Sequence, residues 1–490
     1  PTPVRACPSF DARRRFPEAI SRAHISELKV KHMSVNQDLT HALASELIAL
    51  KPEHLSPADL AQLEMLVLDY CGVAFGGAAR PWIAALHGWA KRYRGTGPAR
   101  IIASDIITTA EIAAFVNGAA GHSFELDDTH DMSMSHPGAV VIPTALAVAA
   151  ETGARGPEVM AAIAAGYEAM ARIGIAARAE RVIAAGYHPT AVFGVFGAAV
   201  ATGKLLGFTA EQLSCAWGHC LSLSAGSMQF SQEAVGAEVK RVHAGYAARN
   251  GVLAAHMSAA GVSAPLRSLD GKYGFLALYG HEPVLSALTA MGARGLAIHD
   301  ISIKPYACCR LLHSMIDGLR ATTDGFKAPS DQIKRILVRG PRKLAEQHMV
   351  TRPQTSMAAQ YSLPFTVGAT LAFGPERFDA FESGNLADPR ILTWADRVEV
   401  ESDADLEASY PEHFGTEVAI TFSDGSERVE RVLDSIGTPA NPMTADTLRA
   451  KAKALAGERL PGLAFDRMVS EVGTLARAES VAALQQAYAL

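Results

Sequence analysis

From Asn36 to about residue 265 the apolar positions recur with helical spacing. The stretch SPADLAQLEMLVLDYCGVAFGG opens on Ser56, Pro57 and Asp59, a cap followed by proline at the first helical position. It predicts a helix that closes at Gly76–Gly77. TAEIAAFVNGAAG, PEVMAAIAAGYEAMARIG and TAVFGVFGAAVATGKLLG repeat the design. The last closes at Gly207, and Thr209 with Gln212 then forms a capping box for the next helix. Several of these segments are apolar nearly all round. A helix without a polar face must be covered on every side, so a multi-layer bundle is expected.

Past about residue 268 the pattern changes. IKRILVRGP reads as a strand. RVEVESD and TEVAITFSDGSERVERV alternate with period 2, and Ser-Asp-Gly breaks the second into a hairpin. Helical stretches lie between them, among them CCRLLHSMIDGLRATT and PFTVGATLAFG, and TADTLRAKAKALAG and AALQQAYAL return to helix at the end. The expected fold is mainly α. A multihelical domain is formed by both chain ends, residues 34–267 plus 436–490, with an α+β domain inserted at 268–435. Residues 1–33 are arginine-rich and lack the apolar stretch of a secretory signal, and read as a poorly ordered leader.

Composition narrows the partners. The 490 residues carry a net charge of −5 with no long run of one sign. Nucleic acid is therefore not expected, because phosphate binding needs a concentrated basic face. A small anion needs only a few local cations and stays open. The six cysteines form no C-x-x-C pair, so a zinc ribbon or an iron–sulfur cluster has no framework. Thiols so sparse suit a reduced, cytoplasmic protein. The longest apolar run, Gly138 to Ala150, contains a proline and is too short to span a bilayer, so no membrane association is expected. No phosphate-binding or dinucleotide loop is present.

Four stretches carry chemistry. HSFELDDTHDMSMSHPGAVVIP, residues 122–143, sets Glu125, Asp127, Asp128 and Asp131 beside His122, His130 and His136. It reads as a metal cage, a solvated loop or a proton-transfer site. The apolar run after Pro137 favours the third, since it places the cluster at the mouth of a buried helix, where burial shifts pKa values. In AAGYHPTAVFGVFGAA, His188 precedes Pro189 at the start of a very apolar helix. The positive end of the helix dipole keeps such an imidazole neutral and basic, unless it serves only as a cap. In EVKRVHAGYAARNG, Lys240, Arg241, His243 and Arg249 follow a polar loop and suit a carboxylate substrate, or else a solvated helix start. In ISIKPYACCRLLHS, Tyr306 sits beside Lys304 and Arg310, able to act as an acid or to orient a carboxylate. Cys308 and Cys309 read as core packing, with a thiol nucleophile paired to His313 as the lesser reading.

Together these pieces resemble the MmgE/PrpD family: FELDDTHDMSMSHPGAVVIPTALA, AGYHPTAVFGVFGAAVATGKLLG, VKRVHAGYAARNGVLAA, IKPYACCRLLH and YSLPFTVGATLA, in family order. The resemblance implies a multihelical domain with an α+β lid, a homodimer, and a small polycarboxylate substrate handled without a metal or organic cofactor. It implies proton transfer beside a carboxylate. Known family activities are 2-methylcitrate dehydratase, cis-aconitate decarboxylase and iminodisuccinate epimerase. Carried over residue by residue, the site falls on His188, His136, Lys240 and Tyr306 as catalytic groups. Glu125, Asp128, Thr129, Arg241 and Lys304 would hold substrate. Many members have aspartate where this chain has Glu125. The expected activity is a 2-methylcitrate-dehydratase-like hydro-lyase, with decarboxylation and epimerisation as alternatives.

Overall fold

The helices that are apolar all round form the inner layers. In the computed structural model, which describes residues 38–232, 237–292, 294–327 and 332–489, the helices Ala110–Gly121, Gly138–Thr152, Gly156–Ala177, Pro189–Leu205 and Val239–Ala259 pack against one another. The leader read at residues 1–33 lies outside the described residues. Gly156–Ala177 is long and apolar enough to cross a membrane, but here it is a core helix, covered by its neighbours. Small residues bring these helices close. A Cβ at Gly245 would meet the Phe115 carbonyl oxygen at 2.3 Å.

The same effect corrects one expected boundary. The helix at Ser56 starts with its predicted capping box and Pro57, but it runs to Ala78, through Gly76 and Gly77. A Cβ at Gly77 would fall 1.9 Å from the Ala120 carbonyl oxygen. That pair is present for helix–helix contact, not as a stop. The predicted ends at Thr209 and Gly207 hold: Thr209 accepts from the Gln212 amide in a capping box, and Gly207 has φ +73°.

The α+β part has a four-stranded sheet in the order Val398–Ser402, Ile333–Gly340, Thr416–Phe422, Glu427–Val432. The first pair is parallel and the other two are antiparallel. Ser423 to Ser426 make the hairpin read from Ser-Asp-Gly. The helix His313–Thr322 covers the last two strands, with Leu319, Val418 and Ile420 in a separate core.

Two chain crossings join this part to the helices. Thr129–His130 pairs antiparallel with Ile301–Ser302. The Ile303 amide then donates to the Gly437 carbonyl at 2.8 Å. Near the end of the chain, the helix Ala445–Ala456 packs back on Pro57–Ala78, and Lys451 donates to Asp69 at 2.6 Å and to the Leu126 carbonyl at 2.9 Å. These crossings place residues 122–136 beside Lys304.

Candidate active site

The helix Ala110–Gly121 ends at His122, and the chain then threads buried polar residues to the next helix, which starts at Gly138. Two acids in this segment take opposite roles. Asp128 accepts from the Gly138 amide at 2.9 Å and from the Tyr167 hydroxyl at 2.6 Å, so it caps the helix that follows. Burial lifts its carboxyl to about 7, against those hydrogen bonds. Asp128, read for substrate binding, thus has each oxygen on a donor of its own fold. Glu125 turns the other way. It is a non-glycine residue in the left-handed region, φ +57°, a conformation costing on the order of 1 kcal/mol. Its buried carboxylate meets Lys240, Lys304 at 3.4 Å and the Tyr361 hydroxyl at 3.3 Å.

Lys240 lies in the first turn of Val239–Ala259, where the helix dipole opposes a cation. Glu125 offsets that. Burial alone would raise the Glu125 carboxyl, but the ammonium groups of Lys240 and then Lys304 outweigh it and hold it well below the usual range. Burial likewise opposes the charge on Lys304, and Glu125 and Asp127 reverse the effect.

Four imidazoles pack beside this trio. Ring centroids are 5.0 Å apart for His136 and His122, 5.6 Å for His122 and His188, and 5.0 Å for His188 and His243. His122 donates from Nδ1 to Asp127 Oδ2 at 2.6 Å, which leaves Nε2 as the free lone pair. His136 donates from Nδ1 to the Asp128 carbonyl at 2.8 Å, and its Nδ1 is 3.5 Å from the Thr129 hydroxyl. His188 caps the helix Pro189–Leu205 in sequence, but its side chain makes no capping bond, and its Nδ1 faces His243 Nδ1 at 3.0 Å. Burial pushes all four down as acids, His136 to about 3 and His243 to about 4, with Lys240 adding repulsion. At neutral pH the empty cluster holds neutral imidazoles.

Two atoms here are buried without a partner among the described residues: His122 Nε2 and Asp127 Oδ1. Orphaned polar atoms are costly unless a ligand or water meets them. As a cation site the trio His122, Asp127 and His136 is poorly built. His136 Nδ1 carries a proton toward a carbonyl, and the ammonium groups of Lys240 and Lys304 repel a dication. The open space nearby is small. A cavity of about 10 Å³ touches Asp127 and Asp128, while one of about 530 Å³ is lined by Ser56, Gln62, His299, Ile303 and Gly437, none of them in the cluster.

The structure thus gathers His136, His188, Lys240, Glu125, Thr129 and Lys304. It does not bring Tyr306 or a free Arg241. The Tyr306 hydroxyl donates to Asp317 at 2.5 Å and receives Arg320 at 3.3 Å, so it is occupied inside the α+β core. Arg241 spends its nitrogens on the Ser123 carbonyl, Gln360 and Glu238, and lies over Trp82. It braces the segment that carries Glu125. Sequence reasoning missed Tyr361 and left His122, Asp127 and His243 without roles. The last three stood inside the quoted stretches; Tyr361 stood only in a piece that carried the resemblance.

Comparisons with known proteins give the family. The MmgE/PrpD N-terminal domain matches residues 41–287, and the MmgE/PrpD C-terminal domain matches 306–470. The chain is 29% identical over 426 residues to cis-aconitate decarboxylase of Aspergillus terreus, covering 82% of this chain and 86% of that protein. It is 27% identical over 480 residues to the cis-aconitate decarboxylase-like protein oryM of Aspergillus oryzae, covering 91% and 96%. Cis-aconitate decarboxylase of Homo sapiens is 25% identical over 461 residues, covering 91% and 94%. With the family models spanning most of its length, the chain belongs to the MmgE/PrpD family.

Proposed function

We propose that this protein is a lyase that decarboxylates a small unsaturated tricarboxylate of the cis-aconitate kind, by imidazole acid/base chemistry and without a metal or organic cofactor. One observation carries this: two buried ammonium groups on Glu125 stand against a row of neutral imidazoles, in a chain that aligns over most of its length with cis-aconitate decarboxylases. The reading replaces the dehydration expected from sequence. Dehydration needs a second acid at the departing hydroxyl; of the groups read for it, Tyr306 is bound to Asp317, which leaves the other histidine. Decarboxylation needs one proton donor.

The chemistry follows from the substrate. Loss of CO2 from the methylene carboxylate leaves a carbanion delocalised into the double bond and the carboxylate beyond it. Lys240 and Lys304 stabilise that negative charge, a role electrostatics fills best in a dry site. His188 then protonates the carbon next to the remaining carboxylate, giving a methylene diacid. The incoming carboxylates are also what charges the histidines. Burial keeps them neutral when the site is empty, and three nearby negative charges reverse that balance.

The test is incubation with cis-aconitate, 2-methylcitrate, citrate and iminodisuccinate, with products read by NMR and CO2 measured. Release of one CO2 per methylene diacid from cis-aconitate, surviving dialysis against a chelator, is expected. Water loss from 2-methylcitrate with no CO2 from any acid would restore the dehydratase reading.

A further inference from the structure

The Nδ1–Nδ1 contact of His188 and His243, 3.0 Å, is a hydrogen bond only if one ring donates and the other accepts. The chemistry required of His188 sets its direction. His188 must present a proton at Nε2 to deliver one there, which leaves its Nδ1 as the acceptor. His243 is then the donor. On its helix, His243 is flanked at i−4 and i+3 by Val239 and Tyr246, exposed by 43% and 42%, while the ring itself is buried like that of His188, at 5% against 6%. The edge of Phe230 lies against both rings, at centroid distances of 5.8 Å, and holds the pair in one geometry.

We propose that His243 is a positioning residue that fixes His188 as the Nε2–H tautomer and lends it a proton at Nδ1 during protonation of the substrate carbon. The step rests on the reading of His188 as proton donor. It starts with His243 protonated on both nitrogens and His188 neutral. The Nε2–H bond of His188 breaks as the new C–H bond forms. At the same time the Nδ1 proton of His243 passes to His188 Nδ1. Both rings end neutral, the carbanion charge is cancelled, and no imidazolate is made. Water recharges the pair after product leaves. The groups facing this pair are His122 and Lys240, with His136 also facing His188. All oppose its protonation, so the substrate carboxylates must supply the compensating charge. The pair is therefore charged only when the site is filled.

The experiment uses the full chain with ¹⁵N-histidine and three variants, His243→Asn, His243→Phe and His188→Ala. Asparagine keeps a neutral N–H near Nδ1 but has no proton to lend; phenylalanine keeps only shape. In the wild type the His188 Nδ1 resonance is expected at an unprotonated-nitrogen shift, and in His243→Phe it should move toward the averaged value of a tautomer mixture. For His243→Asn we expect kcat lower by about 10- to 100-fold at little change in KM, the scale seen when an imidazole loses its orienting partner. The alkaline limb of the kcat–pH profile should be displaced as well. If His243→Phe fails to fold, His243→Asn still decides through kcat and that limb. Wild-type kcat and pH profile in His243→Asn, alongside an inactive His188→Ala, would overturn the inference alone. Full turnover by His188→Ala would instead remove the reading beneath it, while the resonance still reports the direction of the bond.

Discussion

The two flanks of the site are made of similar residues and do opposite things. On the helical flank, acids, lysines and histidines are buried with lone pairs to spare: His122 Nε2 and Asp127 Oδ1 have no partner among the described residues. On the α+β flank, Tyr306, Asp317 and Arg320 close on one another, the remaining Asp317 oxygen accepts the Ile436 amide at 2.7 Å, and the atom of that trio left over is a donor, Arg320 Nε. Acceptor oxygens already met by donors hold a fold together; spare lone pairs can take a ligand or water. The difference teaches that type and burial alone do not identify a reactive residue. What its atoms already bind does.

The sharpest break in that comparison would come from His188. His188→Ala is expected to lower kcat by about 10² to 10⁴-fold while the melting temperature stays near wild type, as steady-state kinetics and calorimetry would read. Next in size is proton linkage. Burial holds the pKa of each histidine below its ordinary value when the site is empty, so a bound tricarboxylate must draw protons in as it raises them. Affinity for a non-reacting tricarboxylate should rise as pH falls from 7.5 to 5.5, by up to about tenfold per unit for each proton taken up. Titration calorimetry in buffers of different ionisation enthalpy counts the protons, and zero uptake would put the charge elsewhere.

Tyr306→Phe probes the other flank. It should cost stability of about 1–2 kcal/mol by leaving Asp317 Oδ1 without its donor, and change kcat only a few-fold. Denaturant unfolding and kinetics on one preparation settle it, and a loss of turnover as large as that of His188→Ala would erase the distinction between flanks. The smallest effect concerns Asp128. Its folded pKa, about 7, lies above that of an unfolded aspartate, so the native state binds the extra proton between pH 4 and 7. That contribution is complete at low pH and fades as pH rises through 7. Asp128→Asn removes the titration, so urea midpoints at pH 5 and 7.5 should differ less than in the wild type.

Much of this was legible in the chain itself. The caps at Ser56 and Thr209, the hairpin at Ser-Asp-Gly and the apolar helices are local features, set by spacing and turn chemistry. Six of the nine residues read for the site also converge, on element ends and the connections between elements. The misreadings share one physical cause. Lys304 and Tyr306 are two apart across a proline, and nothing local says that one reaches Glu125 and the other Asp317. Arg241 follows Lys240, and successive helix positions diverge by a large angle, so one meets Glu125 while the other stacks on Trp82. Gly76–Gly77 has the look of a stop until the carbonyl of Ala120 arrives from another helix. Direction and contact are properties of the assembled layers, and one-dimensional spacing carries little of either.

The bond from Lys451 to the Leu126 carbonyl makes the distant tail of the polypeptide a foundation of its reactive centre. Leu126 lies between Glu125 and Asp127, so that single ammonium steadies the carboxylates on both sides. A premature stop just ahead of residue 451 would spare every proton-handling group and still let the loop that aims them come adrift.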